Sequence, residues 1–257
     1  MEIPLYLAMT AAEFAFCDSL PQNCAWMACH FSPYGTGLTN LPEHLPAHSL
    51  IIVDDSTPIR DHDPGRISEQ LCEMIDKHHP TGILLDFQRP NQRQAKELSA
   101  HLVESLPCPV CVSDVYAKDL DCPVFLPPPK LICRLKDHLL PWTGREIWLE
   151  AALGSTRFRV TSQGCATQQD SIQDLPFCDE ELHCHYKIEL TDDFALFSIS
   201  RTREDLDSLL AEATSYRVTR AVGLWQELNR QESFCPNARL PNTEEHDKMD
   251  LTNAFEY

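Results

Sequence analysis

Thr81-Gly82-Ile83-Leu84-Leu85-Asp86-Phe87-Gln88 reads as a buried strand that ends in chemistry. Gly82 to Leu85 are small or aliphatic at every position, as in a parallel strand covered on both faces. The run delivers an aspartate, an aromatic ring and an amide to its carboxyl end. In an α/β barrel, that end is where sites are assembled. Side chains alternate with period two, so Leu84, Asp86 and Gln88 share one side of the strand.

Working outward, strand-like and helix-like stretches alternate along the chain. Residues 5–9, 24–31 and 49–53 read as three strands before this fourth one. Thr10 with Glu13 three residues later has the capping-box pattern of a helix start. Residues 65–77 place Ile67, Leu71, Met74 and Ile75 on one helical face, and 92–106 form the helix after strand four, with Asn91 as its cap. Further strands are expected over 109–115, 122–126, 146–153 and 221–228, with a helix over 203–216. Residues 155–200 break the rhythm. Runs 157–161, 185–190 and 195–200 read as antiparallel strands, with a hairpin turn at Thr191-Asp192-Asp193.

Eight strands with intervening helices predict a (β/α)8 barrel of the TIM type, over residues 1–230. It carries a small β insertion, 155–200, between strand seven and its helix. A doubly wound open sheet is the competing architecture, but no Gly-x-Gly-x-x-Gly turn follows any strand to cradle a dinucleotide. Residues 231–257 are polar and weakly periodic, the composition of a tail ordered by contact or disordered.

The length of 257 residues and 43% hydrophobic content suffice for one large core. A net charge of −18 with no basic run argues against nucleic acid and anionic membrane surfaces as partners. No stretch approaches the ~18 apolar residues of a membrane span. The first nine residues lack the basic start and apolar run of a signal peptide. Of the 12 cysteines, many, including Cys29, Cys111 and Cys133, lie in apolar runs. The expectation is a cytoplasmic protein with reduced thiols. Oligomeric state is not legible.

The strand quoted first resembles the signature of family 18 glycoside hydrolases, Asp-Gly-x-Asp-x-Asp-x-Glu. Gly82 and Asp86 match, Thr81 and Leu84 replace two aspartates, and Gln88 stands in the place of the glutamic acid. The β insertion after strand seven and the run from Arg203 through Gly223-Leu224-Trp225 are also similar to the chitinases and spore peptidoglycan hydrolases of that family. The resemblance implies substrate-assisted chemistry, in which the sugar's N-acetyl oxygen attacks the anomeric carbon. It implies that Asp86 orients the acetamide and that Gln88 occupies the proton donor's place. An amide forms hydrogen bonds but delivers no proton. Losing a general acid forfeits roughly 10²–10⁴ in rate.

Other candidates come from the residues themselves. Trp148 and Glu150 alternate onto one face of strand seven, and Trp225 and Glu227 repeat the arrangement on strand eight. The carboxyls Glu150 and Glu227 are candidate substitute acids, since burial raises a carboxyl's pKa. The indoles of Trp148 and Trp225 are candidate stacking surfaces for sugar. Arg89 is a candidate partner for Asp86. Asp114 and Tyr116 end strand five. His30 and Tyr34 sit in a glycine-bearing loop after strand two, suited to line a pocket. Asp54-Asp55 ends strand three and reads as one pocket group and one cap.

No metal or cofactor is expected. Cys108-Pro109-Val110-Cys111 lacks a second pair. His183-Cys184-His185 places both imidazoles on one face of a strand, and reads as a solvated insertion face more readily than as a zinc site. The function expected is a carbohydrate-binding barrel acting on or binding N-acetylated sugars, such as N-acetylglucosamine-containing ligands. The proton donor is missing or relocated. The alternatives are a non-catalytic interaction protein on a barrel scaffold, and a barrel enzyme of unrelated chemistry.

Overall fold

The computed structural model describes residues 2–34, 37–59, 62–168 and 175–229, so the expected tail from 231 onward lies outside the described residues. In chain order, the elements begin with β1 (Leu5–Met9), α1 (Ala11–Phe16), β2 (Cys24–Phe31), β3 (Leu38–Thr39) and β4 (Leu50–Asp54). Then come α2 (Pro64–His78), β5 (Gly82–Asp86), α3 (Arg93–Ser105), β6 (Val110–Ser113) and α4 (Asp114–Ala117). β7 (Val124–Leu126), α5 (Leu135–Leu139) and β8 (Ile147–Glu150) follow. The inserted strands are β9 (Ser155–Thr161), β10 (Gly164–Gln168), β11 (Phe177–Asp179), β12 (Cys184–Leu190) and β13 (Phe194–Ser200). Finally come α6 (Arg203–Ala213), β14 (Val218–Leu224) and α7 (Trp225–Leu228).

Strands β1, β2, β4, β5, β6, β7, β8 and β14 pair in parallel around a ring that β1 closes by bonding both β14 and β2. The fold is a closed (β/α)8 barrel of the TIM type. The insertion after β8 is a separate antiparallel sheet in the order β10-β9-β13-β12-β11, five strands where the sequence suggested three. Its hairpin turns at Thr191, whose N–H bonds Phe194 O at 2.9 Å.

Alternation sorts the barrel strands into two clusters. Tyr6, Ala8, Leu50, Ile52, Leu84, Cys111, Phe125, Trp148 and Val222 fill the interior. Ile51, Val53, Ile83, Leu85, Phe87, Leu149 and Ala151 face outward into the layer of surrounding helices, which includes Ile67, Leu71, Leu98 and Leu102 of α2 and α3. Each such aliphatic burial contributes about 1.5–3 kcal/mol. Helix α1 starts at the capping box read from the sequence, Thr10 with Glu13. Helix α3 does not: its N-cap is Gln92, without a side-chain bond, while Asn91 adopts φ 61° in the preceding turn.

The barrel floor explains Gly82. A Cβ there would lie 2.9 Å from Trp148, from Arg220 and from the carbonyl of Pro109. The Arg220 guanidinium sits 4.3 Å above the Trp148 ring and donates to Thr81 O at 3.1 Å. Glycine at this position makes room for a stacked cation and indole at the amino end of the strands.

Candidate functional site at the barrel mouth

Because the interior positions of β4, β5 and β8 are Ile52, Leu84 and Trp148, the next inward positions are Asp54, Asp86 and Glu150. The same alternation that fills the core with apolar side chains therefore ends in carboxylates at the carboxyl mouth. Asp54 and Asp86 are direct register partners.

Asp86 Oδ1 accepts a hydrogen bond from Gln88 Nε2. Burial pushes the Asp86 carboxyl above its ordinary range; the Gln88 bond opposes this, and the charges of Asp54, Asp55 and Asp114 add to it. Glu150 is raised further, from 4.5 to about 7, by burial first and then by Asp86 and Glu227. Asp114 opens α4, and burial raises its carboxyl too. Asp86, Glu150 and their neighbours thus form an acidic mouth in which burial and mutual repulsion raise the carboxyls, Glu150 to about 7.

Several side chains hold this mouth in shape. Asp55, 4% exposed, accepts from the backbone N–H groups of Gln88 at 3.0 Å and Arg89 at 2.9 Å. It fixes the loop that carries Gln88. Arg89 turns to Ser56 O at 2.6 Å, so the expected Arg89–Asp86 pair gives way to an arginine that ties two loops. Asp54 pairs with His30 at 2.8 Å and accepts from Ser56 N at 2.8 Å. Glu227 accepts from Leu153 N at 2.6 Å, joining α7 to the connection after β8.

The other predicted site residues are placed differently. Trp148 is fully buried among the interior side chains toward the floor, so it plugs the barrel and offers no face to a ligand at the mouth. Tyr116 is also buried: its hydroxyl donates to Arg89 O and accepts from Gln92 N at 3.0 Å, locking the β5–α3 loop from outside the barrel. The strand expected over 109–115 stops at Ser113, and the short α4 turns Tyr116 outward. Tyr34 is exposed to 87% of its surface. Trp225 and Glu227 lie not on a strand but on α7, immediately beyond the end of β14 at Leu224. Trp225 is half-buried there.

A hollow of about 1100 Å³ lies between β1 and α6, lined by Ile3, Leu5, Leu7 and Leu210, and another of about 550 Å³ lies beside Trp142 and Tyr216. Neither includes the converging carboxyls, and the chemistry places the candidate site at the mouth. The aspartate–amide pair can hold a ligand's polar groups, and Glu150 can give or take a proton.

No family model matches the sequence, and no curated protein sequence matches it either. Solved structures do share its fold. The spore cortex-lytic enzyme SleL of Bacillus cereus superposes with a TM-score of 0.53 at 8% identity, over 86% of this chain and 70% of that one. A family 18 chitinase of Cycas revoluta in complex with (GlcNAc)3 gives 0.53 at 11% identity, over 88% and 95%. A form of that chitinase with a Gly→Trp and a Glu→Gln substitution, in complex with (GlcNAc)4, gives 0.54 at 11%, over 88% and 95%. The chain has the barrel fold of family 18 glycoside hydrolases. In this family 18-like barrel, β5 is the strand that resembles the signature, and Asp86 and Gln88 stand at its carboxyl end. Gly82, the other match, is used for packing at the opposite end.

Proposed function

We propose that this family 18-like barrel binds N-acetylated carbohydrate at its mouth and does so without hydrolysing it. The hydrogen-bonded pair of Asp86 and Gln88 carries this reading. With one oxygen of Asp86 engaged by Gln88, the other remains to accept the N–H of an acetamide, and the Gln88 carbonyl can accept a sugar hydroxyl. The fixed loop behind Gln88 lowers the ordering cost of binding. A chitinase of this fold that carries a Glu→Gln substitution is found in complex with (GlcNAc)4, which supports sugar binding by such a barrel. Trp225, beside the mouth, is the stacking surface in this reading.

Calorimetric titration with N-acetylglucosamine oligomers tests the proposal. Saturable binding by the wild type, weakened by Asp86→Asn, is the expected outcome. Absence of binding refutes it. Chromogenic N-acetylglucosaminides should remain intact with the wild type, and Gln88→Glu should introduce turnover.

A second reading, hydrolysis with a relocated acid, is favoured by one observation. Glu150 is raised to about 7, so a substantial share of the carboxyls carries a proton at neutral pH. Turnover by the wild type that Glu150→Gln abolishes would select it over pure binding.

A further inference from the structure

We propose that Cys178, His185 and Asp205 form a site for one divalent ion of the zinc class, tying the inserted sheet to α6. Cys178 and His185 are direct partners across the β11–β12 pair, so their side chains leave the same face of the sheet. Asp205, in the first turn of α6, meets them there. The thiol sulfur, an imidazole nitrogen and a carboxylate oxygen all lie within 4.8 Å of one another.

Tetrahedral zinc, with bonds of ~2.3 Å to sulfur and ~2.0–2.2 Å to nitrogen and oxygen, sets ligand atoms ~3.3–3.8 Å apart. Closing the cluster around an ion therefore takes movements of about 1 Å. That freedom exists: β11 is an edge strand spanning only Phe177–Asp179, and Cys178 is exposed. A soft thiolate combined with imidazole and carboxylate is a donor set that suits zinc and disfavours magnesium or calcium.

The surroundings orient the ligands. Asp205 Oδ2 accepts from Thr202 N at 2.8 Å, Thr202 Oγ1 at 2.9 Å and His185 Nδ1 at 2.9 Å. The two Thr202 bonds hold a nearly buried carboxylate in one position, as supporting hydrogen bonds do around metal ligands, while the direct His185–Asp205 bond opens to admit the ion. Asp179 and Glu180 follow Cys178 directly and add negative potential favourable to a cation. His183, which the sequence grouped with His185, takes no part. It precedes β12 with φ 49° and pairs with Glu212 at 2.7 Å. On binding, the sulfur exchanges its proton for the metal and the proton leaves to water. Three protein ligands leave a fourth position for water. The ion would fasten β11 and β12 to the helix that returns the chain to the barrel.

The test uses the full chain, reduced and freed of metal by chelation, titrated with Co²⁺ and then Zn²⁺. The expected result is one Co²⁺ per chain, with a sulfur-to-cobalt charge-transfer band and tetrahedral d–d bands that Zn²⁺ displaces. Cys178→Ser should remove the charge-transfer band, and His185→Ala should weaken binding by about 100-fold or more. Cys165→Ser, at an exposed thiol outside the cluster, should leave the spectrum intact. Circular dichroism of the metal-free variants checks that each remains folded. No tetrahedral cobalt spectrum in the wild type, or a thiolate band that survives Cys178→Ser, overturns the proposal.

Discussion

Replacing Glu150 by glutamine should stabilise the protein, and only at the alkaline end of its range. The carboxyl is half-buried and accepts no hydrogen bond among the described residues, so the isosteric amide removes a charge without breaking a contact. Its pKa rises from 4.5 to about 7 in the folded chain. Below 4.5 the carboxyl is protonated both folded and unfolded, and it contributes no pH dependence. Between the two values the folded state holds a proton that the unfolded chain has lost, so stability falls as pH rises. Above about 7 the full penalty is present. At ~1.4 kcal/mol per tenfold, the gap amounts to about 3 kcal/mol. Urea unfolding of both proteins at about pH 5 and about pH 8.5 measures it. The variant should gain about 2–3 kcal/mol relative to wild type at the higher pH and much less at the lower. An equal difference at both pH values would refute the placement of this carboxyl in a desolvated, acidic mouth.

Asp86→Asn removes a neighbouring charge that adds to the effect of burial on Glu150, so the Glu150 transition should move toward 4.5, measurable by ¹³C NMR titration of the carboxyl. Gly82→Ala forces a methyl to 2.9 Å from Trp148, Arg220 and the Pro109 carbonyl. The expected cost is about 1–3 kcal/mol, read by calorimetry as a fall in Tm of roughly 2–4 °C per kcal/mol. Asp55→Ala leaves the Gln88 and Arg89 N–H groups without their acceptor. It should cost about 2–3 kcal/mol in denaturant unfolding, and N-acetylglucosamine oligomers should bind it more weakly as the Gln88 loop loses its anchor.

The sequence by itself determined the barrel, because β and α periodicities alternate locally and crossovers have one hand. It also showed which carboxyls share a strand face with which apolar residues, while the structure showed that this face is the interior. Period two carries Ile52 to Asp54, Leu84 to Asp86 and Trp148 to Glu150, and that geometry is independent of the rest of the chain. The capping box of Thr10 and Glu13 was legible for the same reason, since its partners lie within one turn. Alternation reveals a face but not a height. Trp148 shares its face with Glu150 yet sits a layer lower, where Arg220 and Gly82 from distant strands shape its pocket. Some strand ends were legible, as in residues 5–9 and 24–31, but not the end of β14: no breaker separates Leu224 from Trp225, yet the strand stops at Leu224 and α7 begins. The partners of Asp55 lie more than thirty residues along the chain. The sheet and helix that bring Cys178, His185 and Asp205 together meet only after the insertion has folded. Long-range pairs such as these depend on how the ring closes and the insertion docks, and only the tertiary structure decided them.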